Sequence, residues 1–357
     1  MKTWHLLAPE FPPGCGGVGD YSALLAGGLE RSGDRVRVWH PHLLPDRFGR
    51  RSRHVLDSAI ASEPGIVLVQ YVPAAFGLRG MNVPFCRWIG KLRRRGVDVR
   101  VMFHEPFFYF GFSRPWRNVF ALVQRGMARL LLQSATRVYY STETWKRLLA
   151  PFGSRMDAEV LPIPATIPVD VASEAVTAAR GRSRGPLVIG HFGTYGDHVA
   201  GELSRVLPEI LRTLPDARMQ LAGRGAGEFA RSLIPAVRKR IDVVPDEDGV
   251  AIAAALRACH ILVQPYPDGV TTRRTSMMAA LTSGVSVITT QGRLTEAVWT
   301  ESNAVSLAPA GDDEAFVERA VQLARNPELR REMGARGRRL YDEQFALPVT
   351  LSRLRRN

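Results

Sequence analysis

Short apolar runs alternate along this chain with longer segments whose apolar positions recur at helical spacing, and Gly, Pro and small polar residues separate the two. WHLLAPEF, VRVWHP, GIVLVQYVP (65–73) and VDVRVMFHEPFFYFGFS (97–113) read as buried strands of the first half. PLVIGHFGTYGDH (186–198), MQLAGRG, IDVVP, ILVQP and VSVITT read as those of the second. Between them lie predicted helices: the segment with Leu24, Leu25 and Leu29, the amphipathic WIGKLRRRG, and the capped helix of SATRVYYSTETWKRLLAPFG (134–153). VAGELSRVLPEILRTLPDA, a stretch around 228–238, GVAIAAALRACH and the closing segment from DEAFVERAVQL onward follow in the second half. Regular strand–helix alternation predicts parallel sheets in an α/β class, two Rossmann-like domains in succession. LPIPATIPVD and VASEAVTAARGRSRG interrupt it, so the domains are expected at 1–170 and 171–339 with a linker around 165–185.

Three strand ends carry candidate chemistry. In LVQPYPDGVTTRRTSMMAALTSGVSVITTQG (262–292) a strand enters a loop with an acid, a Gly and several hydroxyls, then a helix expected to be capped by Thr275 or Ser276 and stopped at Gly284. A loop at a strand's C-terminal end before a helix N-terminus is where open α/β sheets hold anions. Near the start, Gly14, Gly16, Gly17 and Gly19 form a flexible turn before a helix, with Asp20 in its first turn. The spacing is not the dinucleotide GxGxxG, and a plain turn is the other reading. In VDVRVMFHEPFFYFGFS (97–113) His104 and Glu105 come at the strand's end before an aromatic-rich loop, and for the histidine that is a position suited to ligand contact.

The 357 residues are 45% hydrophobic and 23% charged, ordinary for a chain with full cores. Cys15, Cys86 and Cys259 have no metal-binding spacing, which favours a reducing compartment. The apolar run at the start is too short for a signal peptide and none reaches membrane-spanning length, so a cytosolic protein is expected. The net charge of +14 gathers in RFGRRSRH (47–54), KLRRRGVDVR (91–100) and the tail LSRLRRN. Arg-rich clusters suit phosphates. An anionic membrane surface, reached peripherally, is one partner that fits. Nucleic acid is not expected, because no stacking aromatics or binding motif accompany the runs. Solvated faces of an Arg-rich composition are the third reading.

DGVTTRRTSMMAALTSGVSVI resembles the donor-sugar loop of GT-B glycosyltransferases, in particular the retaining family 4 enzymes. GGVGDYSALLAGGLERSGDRVRVWHP resembles the amino-terminal signature of the same family, and FHEP its strand-end His segment. The resemblance implies two Rossmann-like domains facing across a cleft, with the segment 340–357 crossing back to the first. It implies that Asp268 touches sugar hydroxyls and that amides of Gly269, Val270 and Thr271 approach the donor diphosphate. Ser276 stands where the family has a ribose-binding acid, and offers one hydrogen bond instead of a bidentate grip. Gly193, Thr194 and Tyr195, then Gly223 and Arg224, occupy two further donor loops. The family's Arg and Lys after the first of these are missing from GTYGDHVAGEL, leaving Arg224, Arg273 or Arg274 to face the phosphates.

On the other side, Gly16, Gly17 and Val18 take the position opposite the donor phosphates. Asp20 and Tyr21 are placed as acceptor contacts or as helix-capping residues. His104 is placed on a sugar hydroxyl, and Glu105 either orders the acceptor or braces the loop. Phe107, Phe108, Tyr109, Phe110 and Phe112 line an acceptor groove, embed in lipid or simply pack. The implied reaction is metal-independent transfer of a sugar from a nucleoside diphosphate sugar, as co-substrate with no cofactor, to a hydroxyl acceptor: polysaccharide, glycolipid or metabolite. A GT-B epimerase or phosphorylase would share the lobes, though no cofactor lysine for the latter is evident. The alternative is a catalytically weak GT-B homologue that binds nucleotide sugar or docks on a membrane or complex, favoured by Ser276 and the missing Lys.

Overall fold

In a computed structural model, residues 1–12, 16–111, 115–153, 158–168, 185–244 and 249–356 are described. The chain divides into two compact units, residues 1–162 with 347–357, and residues 163–346. Each is built on a six-stranded parallel sheet. The first contains β1 (Thr3–Leu7), β2 (Arg35–Trp39), β3 (Ile66–Tyr71), β4 (Val99–Phe103), β5 (Arg137–Tyr140) and β6 (Glu159–Val160) in the order β2-β1-β3-β4-β5-β6. β3 and β4 are buried at every residue, Gln70 and Arg100 included, as mainly apolar strands between two helical layers should be. The second contains β7 (Val188–Phe192), β8 (Arg218–Ala222), β9 (Ile241–Val244), β10 (Ile261–Gln264), β11 (Ser286–Gln291) and β12 (Ser306–Pro309) in the order β12-β11-β10-β7-β8-β9. Among the described residues no helix is long and apolar enough to cross a membrane.

The division departs from the expected limits at both crossings. The first falls at Pro162/Ile163, not 170/171, and the second at Ala346/Leu347, not 339/340. Residues 340–346 stay with the second unit because Phe345 stacks on Trp299 at 5.9 Å and the Tyr341 hydroxyl accepts from the Ala165 amide. Most of the expected linker lies outside the described residues, as do Gly14, Cys15 and Phe112. The stretch around 228–238 forms two short helices, Ala226–Ser232 and Pro235–Arg238, because Pro235 starts a new turn.

The helix Leu347–Arg355 completes the first unit. It packs against the helix Gly17–Arg31 where Gly28 has no side chain, since a Cβ there would lie 3.0 Å from Leu351 and 3.1 Å from Leu347. Two of its basic residues, grouped in the sequence with surface clusters, instead fasten the helix to the unit while staying partly exposed. The Arg355 guanidinium pairs with the fully buried Asp34 carboxylate at 3.0 Å, and Arg353 donates to the Val160 carbonyl. Arg100, from the cluster 91–100, is itself buried, donating to the Leu354 carbonyl and pairing with Asp98. Asp34 also accepts from the Lys2 amide at 2.9 Å and the Trp4 indole at 3.1 Å. Burial alone would raise its carboxyl, but these hydrogen bonds and the Arg355 charge outweigh it and hold it below the usual range.

Asp34→Ala is therefore expected to cost the first unit about 2–4 kcal/mol, because it strands the buried donors that converge on this carboxylate. Chemical denaturation measures it. A lowered native pKa contributes stability that is full above the ordinary carboxylate pKa and lost as pH falls through the lowered one. The wild type should therefore lose this increment on acidification below about pH 4, and Asp34→Ala should not.

Candidate functional site

In the second sheet the chain steps from β7 outward to β8 and β9, and from β10 outward to β11 and β12 on the other side. β7 and β10 are neighbours, so the loops after them diverge and leave a crevice at the strand ends. The loop after β7 brings Gly193, exposed Thr194 and Tyr195; the loop after β8 brings Gly223 and exposed Arg224. These loops are locked together. The Gly193 amide donates to the Ala222 carbonyl at 3.2 Å and the Tyr195 amide to the Arg224 carbonyl at 3.3 Å. A Cβ on Gly223, whose φ is +102°, would lie 2.2 Å from the Gly193 oxygen.

From the other side comes the loop 265–274, leading into the helix Thr275–Thr282. Its shape rests on a crossing of two backbones. Gly269 adopts φ +88°, and a Cβ there would meet the Gly292 nitrogen at 2.3 Å and Thr295 Oγ1 at 2.2 Å. The buried Glu296 carboxylate braces the next turn, accepting from the Thr272 amide at 2.6 Å and the Thr272 hydroxyl at 2.7 Å. Tyr266 is fully enclosed; its hydroxyl lies 2.9 Å from Ser276 Oγ, and the Arg274 guanidinium sits 4.7 Å over its ring. Burial pushes the Tyr266 phenol up, with Arg274 and Ser276 opposing the shift.

Two expectations for this loop are corrected. The residue at the N-cap position is Arg274, not Thr275 or Ser276, and no side chain caps the helix, because Ser276 is turned toward Tyr266 instead. The Gly269 and Val270 amides do not face outward: they donate to the Tyr266 carbonyl at 2.9 Å and the Thr290 carbonyl at 2.8 Å. The anion-ready groups are thus the first-turn amides of the helix, near which Arg273 and Arg274 are half-buried. Asp268 is partly exposed and pairs with Arg293 at 2.8 Å.

His191 was not selected by sequence reasoning. It is 1% exposed, with Nδ1 2.8 Å from the Val263 carbonyl. Burial lowers its pKa to about 4, so it is neutral, Nδ1 carries the proton, and Nε2 is an acceptor without a partner. A side chain at Gly193 would touch both Nε2, at 3.4 Å, and Ser276 Cβ, at 3.8 Å; the glycine leaves that spot open between them. Thr271 Oγ1 and Arg274 Nε are also buried without a hydrogen-bond partner. Orphaned polar atoms at the ends of adjacent elements are unusual enough to mark a site. The available signal for His191 was a histidine inside the otherwise apolar run LVIGHF.

In the first unit the corresponding switch point lies between β1 and β3. Gly16 ends the glycine loop as the N-cap residue of Gly17–Arg31, with Asp20 in that helix's first turn. His104 follows β4, nearly buried, its Nε2 2.6 Å from Gln70 Oε1, and its carbonyl accepts from the Trp145 indole at 2.8 Å. Tyr21 packs edge-on against the His104 ring at 5.2 Å and is 1% exposed, so it supports His104 from behind; burial raises its phenol pKa. Glu105 is exposed at the start of the following loop.

Residues 186–326 match the family model Glycosyl transferases group 1. That stretch, less than half of the chain, is what resembles the family. A phosphatidyl-myo-inositol mannosyltransferase of Mycobacterium leprae (strain TN) is 27% identical over 192 residues, 52% of this chain. The match spans about half the length of that relative, 51%. Sucrose-phosphate synthase from Thermosynechococcus elongatus superposes with a TM-score of 0.73 at 14% identity, covering 99% of this chain and 97% of that one. HepE of Anabaena, solved with UDP-glucose, gives 0.68 at 11% identity, covering 99% and 98%. WaaG, a glycosyltransferase of lipopolysaccharide biosynthesis, gives 0.63 at 16%, covering 98% of each. Such matches show the fold, the GT-B type with two Rossmann-like domains.

Gly269→Ala is expected to destabilise the second unit by about 2–4 kcal/mol, because both the positive φ and the Gly292 backbone oppose a side chain. Gly284, at φ +67° with nothing within 4 Å, is the control. Gly284→Ala should cost only about 1 kcal/mol of backbone strain. Denaturation of the two variants side by side separates crowding from dihedral strain.

Proposed function

We propose that the protein is a retaining glycosyltransferase that moves a sugar from a nucleoside diphosphate sugar to a hydroxyl acceptor. The observation that carries this reading is the meeting of the loops after β7 and β10, where Gly193 leaves a spot open between His191 Nε2, which has no partner, and Ser276 in the first turn of a helix with no side-chain cap, whose start carries the half-buried Arg273 and Arg274. The chemical demand is to stabilise a departing diphosphate whose charge grows in the transition state. The first-turn amides of Thr275–Thr282 meet that charge, with Arg273, Arg274 and Arg224 beside them. No metal or resident cofactor is required by this assignment. Gly193 and Thr194 line the nucleotide side, and Ser276 with Tyr266 and His191 Nε2 offers neutral hydrogen bonds where relatives use an acid for the ribose.

Asp268 and His104 are assigned to the sugar hydroxyls, and the leaving phosphate accepts the proton of the incoming hydroxyl. Arg293 holds one Asp268 oxygen, which orients the carboxylate and leaves the other to accept. HepE is recorded with UDP and with UDP-glucose, which supports a nucleoside diphosphate hexose as donor. The names of the mannosyltransferase and of WaaG support a lipid-linked acceptor. Gly16, Gly17, Asp20 and Glu105 belong to the acceptor side in this reading, and the protein works in the cytosol.

Thermal unfolding with UDP, GDP, ADP and dTDP and their sugars tests the donor assignment. One nucleotide at 100 times its dissociation constant should add about 2.7 kcal/mol. Asp268→Asn should keep the stabilisation by that nucleoside diphosphate while turnover falls about 10- to 100-fold, the worth of a charged hydrogen bond. Stabilisation without release of nucleotide would favour a binding module, the reading Ser276 supports. No stabilisation by any nucleotide would overturn both.

A further inference from the structure

The excess positive charge is confined to one part of one unit. Residues 47–137 hold sixteen of the 48 Lys and Arg but only four of the 34 Asp and Glu; the remainder of the chain is nearly balanced, thirty-two against thirty. An Arg-rich composition spread over solvated faces would not sort itself this way. The segment contributes three helices, Arg50–Ser62, Val83–Arg94 and Arg117–Ser134, which lie side by side. The Asp57 carboxylate of the first accepts from the Trp88 indole of the second at 3.0 Å. Gly90 of the second fits against Ser134 of the third. The last two helices contain no Asp or Glu. A groove between the first two is lined by Arg50, Arg51, Arg53, Arg87, Lys91 and Arg95, with Asp57 the one acidic residue in its lining.

Beside this groove the third helix and the loop before it expose large apolar side chains. Tyr109, Phe110, Trp116, Val119 and Leu122 are 46–65% exposed. Arginines sit among them: Arg125 lies 3.9 Å over the Phe110 ring and Arg117 4.9 Å over Phe108. We propose that this three-helix layer of the first unit is a docking surface for an anionic lipid bilayer. The basic groove takes the headgroup phosphates, and Trp116, Val119 and Leu122 enter the boundary between headgroups and acyl chains. The mixture favours lipid over nucleic acid. The aromatics nearest the groove, Phe85 and Trp88, are buried and cannot stack on bases, while exposed Val119 and Leu122 have no counterpart on a base. Basic groups and apolar anchors together supply the two signals that stable peripheral attachment needs. The surface belongs to the first unit and shares no residue with the site described in the second, so the proposal stands whatever that site transfers.

Co-sedimentation of the purified full chain with vesicles tests it. Binding is expected to phosphatidylcholine vesicles containing about one-third phosphatidylglycerol and to be weak on pure phosphatidylcholine, falling sharply between about 0.1 and 1 M salt as screening shortens. Each basic group at an anionic leaflet strengthens partitioning about fivefold, so Arg50→Glu, Arg87→Glu and Lys91→Glu together should weaken it more than about 100-fold. The matching Gln triple, which keeps helix propensity, should give an intermediate loss if the charge-reversed chain folds poorly. Trp116→Ala with Leu122→Ala should weaken vesicle binding while leaving donor-induced thermal stabilisation unchanged. Binding that ignores lipid charge, or that survives both sets of variants, overturns the proposal. So does binding to RNA or DNA without binding to anionic vesicles.

Discussion

The crossing of Gly269 over Gly292 sets the geometry on which the second unit's site depends. Two main chains pass at a distance that admits no side chain on either, and the loop 265–274 is thereby pinned to the start of the segment after β11. With that contact fixed, the Leu294 amide reaches the Asp268 carbonyl at 3.0 Å, Arg293 is presented to the Asp268 side chain, and Glu296 falls under Thr272. The start of the helix Thr275–Thr282 follows from the same contact. A helix end proposed to meet a phosphate is only as useful as its placement, and here the placement is set by backbone contact, which side-chain motion cannot relax.

The elements and their order were legible because parallel α/β sheets write themselves as apolar runs separated by helical periods. β3, β4 and β10 needed nothing more than their composition. The candidate loop was legible for a related reason, since Asp-Gly before a small-residue helix implies a tight turn feeding a helix N-terminus. Partnership was not legible. The Gly269 and Val270 amides belong to a turn and to a bridge to Thr290, and nothing in DGVTT states that the acceptors lie at Tyr266 and Thr290. Glu296 is an unremarked acid in QGRLTEAVW until it is found under Thr272. His191 reads as a misplaced polar residue in a strand until its unused nitrogen is seen beside Gly193.

Charge shows the same limit. Arg100, Arg353 and Arg355 look in sequence like the exposed arginines of residues 50–95, yet the first is buried and all three hold the ends of the first unit together. A guanidinium with five fixed donors serves either as a phosphate contact or as a buried bracket for carbonyls, and the difference lies in what the fold places opposite it. Separating the two populations turns a diffuse excess of charge into a localised one.

The first unit is discontinuous: its final helix arrives after the entire second unit. A nascent chain emerging at about 5–20 residues per second therefore holds residues 1–162 incomplete for about 10–40 s while residues 163–346 are made. Through that interval the Asp34 carboxylate lacks Arg355, Arg100 lacks the Leu354 carbonyl, and the Gly28 surface of the first helix lacks Leu347 and Leu351. The earlier-coded unit therefore completes its fold only after residues coded beyond the whole of the second have been made.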